Sequence, residues 1–504
     1  MKQAECFLFL PGGKADLRHG SLLPPVTLKN KKGLITVSYG VFSNNVPLKF
    51  NSMDFRDGQQ SMLATRVKTK DMLPFLERMD KLGYENMEMW GGATFDVCIR
   101  YLNDDPWERL RKFKAVMKNT PLKMVCRGQN LVGYKAYPDD IVRRFIAAAA
   151  RNGIDIFLIF DALDDLRNCR VPFEAALEAG KKVEGSLQYM ISPFHTRKMR
   201  VENALEQQKM GASGIHVEDM AGLMTPTEAY GLISDLKEAL DIPVYLHCHC
   251  TGGMAEMCYW EAIRAGVDGV DTALSPIGLG PSLPAIESLA AALKDTPREP
   301  KIDLAALTDL NNDFKALRKK YAENASTLIG VDVGCLQHQI PGGMLTNLES
   351  QLKGMGALDR LPEVLQEAIQ VRADMGYPPL ATPSSQMCGV QATTNVLTGK
   401  RYGNISKEMK DYCRGMYGKA PGPLNPELVK AALGDEQPIT CRPADLLAPG
   451  WDEAVKGAGD LAESEEDILT YALFPTVAPA FLEAKKAEKE RRCKYAIEKV
   501  EKKK

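Results

Sequence analysis

Eight short apolar runs recur between Asn51 and Thr272, and an amphipathic stretch separates each from the next. The runs are 51–57, 86–89, 123–126, 154–160, 185–191, 214–217, 244–249 and 269–272. Their spacing, roughly thirty residues, is that of a strand followed by a helix. Several of the helical stretches end in a glycine suited to a left-handed cap: Gly83, Gly153, Gly180, Gly211 and Gly266. Eight such units predict an α/β fold, a closed parallel (β/α)8 TIM barrel. An open, doubly wound sheet competes, but no Gly-x-Gly-x-x-Gly follows the first strand. Beyond Thr296 the strand rhythm stops, and helical patterns occupy 304–320, 361–375, 406–416 and 426–433. The expected division is an extension over 1–46, the barrel over 47–300, a mostly helical domain over 301–483 and a charged tail over 484–504.

Composition narrows the function classes. A formal net charge of -1 and a pI near 6.6 give no bulk attraction to nucleic acid or anionic membranes. No run is long and apolar enough to span a bilayer, and Cys6–Leu10 is too short for a signal-peptide core. Twelve scattered cysteines form no small-scaffold framework, which favours free thiols in a reducing cytoplasm.

The chain has six histidines, and two of them sit one residue apart in Val244-Tyr245-Leu246-His247-Cys248-His249. On a strand, His247 and His249 project to the same face and can share one ion. The pair by itself also reads as one core and one surface histidine. Asp57, at the end of the first strand, would join them at the C-terminal mouth of the barrel, where such folds place their chemistry. One carboxylate and two imidazoles suit zinc, manganese or cobalt.

The segment Phe55-Arg56-Asp57-Gly58-Gln59-Gln60-Ser61-Met62-Leu63-Ala64-Thr65-Arg66 resembles the first-strand motif of biotin-dependent carboxyltransferases acting on 2-oxoacids. Further similar segments are 90–96, 127–134, 219–223, 340–344 and 382–385. Segments 103–111 and 442–447 additionally resemble the transcarboxylase subunit of that family. The resemblance extends from about Pro47 to Glu483. It implies metal ligation by Asp57, His247 and His249. It places Arg56, Gln60 and Arg127 around the ion and the 2-oxoacid, with Asp96, Tyr134 and Ser385 lining the biotin and substrate pocket. Thr382 matches a hydroxyl that shuttles a proton between biotin and the enol of pyruvate. A homodimer is implied as well.

Four inward positions depart from the family pattern. Glu218 stands where the family has a lysine whose carboxylated form is a metal ligand. His216 and Gln188 replace small residues, and Leu158 replaces an arginine. By alternation His216 and Glu218 face into the barrel, which makes both candidate catalytic residues. Glu218 could ligate the metal, act through a water, or serve as a base. No Met-Lys-Met biotinylation segment is present. Biotin is therefore expected on a separate carrier protein, with other carboxylase or transcarboxylase subunits as partners. Two other readings stay open: a metal-dependent acyl lyase or condensing enzyme of the related barrel superfamily, and a catalytically altered structural subunit.

Overall fold

The computed structural model describes residues 26–30, 33–37, 41–328 and 330–501. Most of the expected extension, Met1–Pro25 included, lies outside the described residues. Its latter part forms an antiparallel hairpin of β1 (Val26–Asn30) and β2 (Gly33–Val37), which hydrophobic periodicity did not reveal.

The predicted barrel forms. Strands β3 (Lys49–Ser52), β4 (Asn86–Trp90), β5 (Leu122–Cys126), β6 (Ile156–Ile159), β7 (Lys182–Gln188), β8 (Ile215–Asp219), β9 (Val244–Cys248) and β10 (Gly269–Thr272) close in sequence order, with β10 returning to β3. All neighbours are parallel. The first barrel strand departs from its expected span. It ends at Ser52, and 54–58 forms one wide helical turn leading into the helix Gln59–Leu63. Asp57 therefore reaches the barrel mouth from a turn rather than from a strand end.

That turn is held from outside by aromatic packing. Phe55 stacks on Phe314 at 5.5 Å and meets Phe113 edge-on at 5.8 Å. Phe314 belongs to the helix Leu304–Lys320, so the helix that follows the barrel strands clamps the turn that carries Arg56 and Asp57. Burying such a ring stabilises by about 2–3 kcal/mol. A second cluster, Trp90, Phe95, Trp107 and Phe145, takes in Phe474 from the helical domain, 5.6 Å from Phe95. The helices Leu304–Lys320 and Pro426–Leu433 match their sequence spans. The charged tail is no separate element, because the helix Ala478–Glu501 runs through its start, and Lys485 pairs with Asp105 and Asp467. No described helix is long and apolar enough to cross a membrane. The described cysteines are free thiols.

Candidate metal and carboxyl-transfer site

Asp57, His247 and His249 converge at the C-terminal mouth of the barrel. Each offers a ligand atom within 4.8 Å of the other two, and all three are buried. The two Nε2 atoms lie 3.0 Å apart, and Asp57 carboxylate oxygens stand 3.4 Å from His249 Nε2 and 3.8 Å from His247 Nε2. Metal–nitrogen bonds of about 2.0 Å in a tetrahedral set put ligand nitrogens roughly 3.3 Å apart, so this spacing fits one shared ion. The far side of each ring is already engaged. His247 Nδ1 is 3.0 Å from Asp271 Oδ2, and His249 Nδ1 is 2.6 Å from the Pro281 carbonyl. With Nδ1–H donated to those oxygens, both Nε2 lone pairs face Asp57.

The segment after β8 explains the placement of His249. Its amide donates to the Asp219 carbonyl at 3.0 Å. Gly222 has φ +71°, and a Cβ there would lie 2.7 Å from the His249 carbonyl, so only glycine fits the close approach.

Arg56 donates from Nη1 to Asp57 Oδ2 at 2.5 Å and from Nε to Glu88, while Ser61 donates to Asp57 Oδ1 at 2.8 Å. Burial pushes the Asp57 carboxyl up, but Arg56, His249 and His247 outweigh it and hold the group well below the usual carboxylate range. Asp57 is thus a preformed anion. Gln60 is exposed at the start of its helix, whereas neighbouring Gln59 is buried and bonds the Phe55 carbonyl.

A second group forms after β4 and β5. Arg127 donates from Nη1 to the Val132 and Gly133 carbonyls, both at 3.0 Å, and lies 5.3 Å from the Tyr134 ring. Tyr134 donates to Asp96 Oδ2 at 2.9 Å. Among the described residues no carboxylate forms an ion pair with Arg127, and burial lowers its pKa. The motif Gly91-Gly92 makes room for it: a Cβ on Gly92 would sit 2.3 Å from the guanidinium. Thr382 and Ser385 belong to the helical domain. Thr382 is half-buried and joined by a cis bond to Pro383, ahead of the helix Ser384–Thr398 that contains buried Ser385. No hydrogen bond or ion pair ties either residue to the triad among the described residues.

The four departing positions fall into one connected interior. Glu218 is in register with His247 on one side and Gln188 on the other. Gln188 Nε2 donates to Glu218 Oε2 at 3.0 Å, and Glu218 Oε1 is buried without a partner. Glu218 is not within the triad's mutual ligand distance. His216 lies one layer lower, stacked on Tyr245 at 4.6 Å and 2.8 Å from Glu184 through Nε2. Its Nδ1 is 3.6 Å from the Asp271 carboxylate that also holds His247. Lys123 Nζ bonds Glu184 at 3.3 Å. Leu158, where the resemblance implies an arginine, is in register with Glu184 on the adjacent strand. Lys123 therefore supplies the buried cation from a different strand. Burial and Lys123 push the His216 pKa down, but Glu184 and Asp271 prevail and raise it to about 9. Burial raises Glu184, yet Lys123 and His216 bring it to about 2.

Comparison with known proteins agrees with this geometry. The HMGL-like family matches residues 47–314, and the conserved carboxylase domain matches residues 335–503. A pyruvate carboxylase subunit of Methanothermobacter thermautotrophicus is 52% identical over 431 residues, covering 85% of this chain and 76% of that protein. The chain belongs to the biotin-dependent carboxyltransferases. Within them, the methylmalonyl-CoA carboxyltransferase 5S subunit of Propionibacterium freudenreichii is 45% identical, covering 85% of this chain and 86% of that one. The solved carboxyl transferase domain of Rhizobium etli pyruvate carboxylase, with pyruvate and biocytin, superposes with a TM-score of 0.84 at 33% identity, over 88% of this chain and 78% of that chain. This carboxyltransferase is thus of the pyruvate carboxylase and transcarboxylase type, and the lyase reading is not favoured.

Sequence reasoning missed Asp271, Pro281, Glu88, Lys123 and Glu184. Four of them carried a legible signal. Glu88, Lys123, Glu184 and Asp271 are charged residues within strands, where burial demands a partner.

Proposed function

We propose that this carboxyltransferase moves a carboxyl group between biotin on a separate carrier protein and a 2-oxoacid, with pyruvate and oxaloacetate as the pair. The observation that carries the reading is a ligand-ready triad together with Arg127, a half-buried arginine that forms no ion pair with a carboxylate among the described residues. Asp57, His247 and His249 would hold zinc, cobalt or manganese. When bound, the ion would polarise the substrate carbonyl, and carrier-borne biotin would accept or supply the carboxyl group. Arg127 clamps the 2-oxoacid carboxylate with its free guanidinium edge. Arg56 anchors Asp57, and Gln60 faces the entrance. Asp96, Tyr134 and Ser385 line the biotin side. Thr382 passes a proton through its Oγ1 between the biotin nitrogen and the substrate carbon: the nitrogen that takes up the carboxyl group gives up its proton, and the carbon that lost the carboxyl group receives one, the reverse holding for carboxylation.

Glu218 keeps one oxygen on Gln188 and turns the unpartnered one toward the chemistry, as an outer anion acting through water or as a base. His216 acts as a positioning residue through Asp271, since its ring is closed off beneath Tyr245. A homodimer, working with other carboxylase subunits in the cytoplasm, completes the reading.

The test is oxaloacetate decarboxylation by the metal-replete protein with and without free biotin. Biotin-stimulated pyruvate release, lost in Thr382→Ala, is expected. Metal-bound protein that releases no pyruvate would remove this substrate pair. Glu218→Ala is expected to lower metal occupancy, and unchanged affinity would take Glu218 out of the metal's surroundings.

A further inference from the structure

A recess of about 440 Å³ opens where the chain leaves β10, between the turn Ser275–Ile277 and the C-terminal half of the helix Leu304–Lys320. Its charged lining is entirely cationic. Lys315, Arg318 and Lys319 share one helix face toward it, and Ser275, Pro276 and two alanines complete the wall. Among the described residues none of the three cations has a carboxylate partner. Two neighbouring cations are neutralised: Lys320 pairs with Asp71 at 2.7 Å, and Arg78 pairs with Asp313 at 2.6 Å. Glu287, the acid behind Ser275, is committed to the Ser275 amide and to Asn311. A helix C-terminus attracts cations, but its partial charge is about half a unit and does not balance three.

Arg318 donates from Nη1 to the Pro276 carbonyl at 3.0 Å, which fixes its guanidinium at the floor and leaves its other donors free. Lys315 and Lys319 are exposed, with Lys315 Nζ donating only a long 3.3 Å bond to Asn312 Oδ1, so both can turn toward a ligand. One fork and two exposed ammonium groups around an open recess suit a multiply charged anion with several acceptor oxygens. The volume lies within the range of small-molecule sites and is too small for a duplex. The same turn touches the candidate site: a Cβ on Gly58, the neighbour of Asp57, would lie 3.2 Å from Ile277. A ligand bridging turn and helix therefore braces the wall against which the Asp57 turn packs.

We propose that this recess binds a phosphate-bearing small molecule of about nucleotide size. The experiment is titration calorimetry on the full chain at low ionic strength, with ADP and, separately, inorganic phosphate. Saturable one-to-one binding is expected, weakened at least tenfold in Lys315→Glu/Lys319→Glu and also weakened in Arg318→Met. The two lysines are exposed, so the melting temperature of the double variant should match the parent. Tight ADP binding with feeble phosphate binding identifies a nucleotide as the source. Equal binding of both identifies the phosphate alone. Absence of binding by either, or affinity undiminished in the double variant, overturns the proposal.

Discussion

The barrel interior has two polar layers, and they obey different rules. The upper layer, Asp57, His247 and His249, must meet a ligand, so distances and lone-pair directions fix its residue types. The lower layer, Lys123, Glu184, His216 and Asp271, pairs mostly within itself and touches the upper layer where Asp271 holds His247. Buried charges cost several kcal/mol each unless paired, and the lower layer answers with two cations against two anions. Any arrangement that keeps this neutrality and closes the hydrogen bonds will serve. That freedom explains how a leucine can stand at 158 opposite Glu184 while the cation comes from Lys123. The upper layer has no such latitude.

The comparison can be broken hardest from above. His249→Ala should abolish metal retention and lower carboxyl transfer by at least about 10³-fold, since the polarising ion goes with it. Metal content after dialysis and pyruvate release would show both losses. Retained metal would mean the triad is not the ligand set.

Asp271 belongs to both layers, holding His247 and facing His216. Asp271→Ala should therefore lower stability by about 3–5 kcal/mol. It should also weaken metal affinity by about 10–100-fold. Denaturant unfolding and metal titration separate the two effects. A change in only one would uncouple the layers.

Lys123→Met should cost about 3 kcal/mol, at the lower end of the same range because His216 still faces Glu184, with metal affinity unchanged. Adding Leu158→Arg puts a cation back opposite Glu184 and should recover part of that loss. If the double variant is no more stable than Lys123→Met, neutrality is not what the lower layer requires.

The smallest effect is in pH. The folded His216 pKa of about 9 is raised from 6.5, so its contribution is fully present below about pH 6.5 and lost as pH rises through 9. Glu184, lowered from 4.5 to about 2, contributes above about pH 4.5 and loses that contribution as pH falls through 2. Between pH 6.5 and 9 stability should decline by no more than about 3 kcal/mol. His216→Phe should flatten that alkaline limb. An unchanged limb would mean that another group titrates there.

Much of this was readable along the chain. The eight strand–helix units, the His247–His249 spacing and the helix Leu304–Lys320 all rest on local periodicity, which a sequence displays directly. The turn 54–58 was not readable. Its apolar Phe55 continued the strand pattern, and only packing on Phe314, more than 250 residues later, turns the chain there. Alternation turns Glu218 and His216 inward, where the structure has them, but it gives a direction and not a depth. The structure puts Glu218 beside His247 and His216 a layer below, beneath Tyr245.

The barrel, the helical C-terminal region and the three ligand candidates are legible in the chain, because repeat length and side-chain alternation are local properties. Which buried charges neutralise each other is settled in three dimensions. Lys123, Glu184, His216 and Asp271 come from four different strands, and their pairing follows from the closure and register of the barrel. Coulomb energy depends on distances through space, and those are set only when the sheet closes.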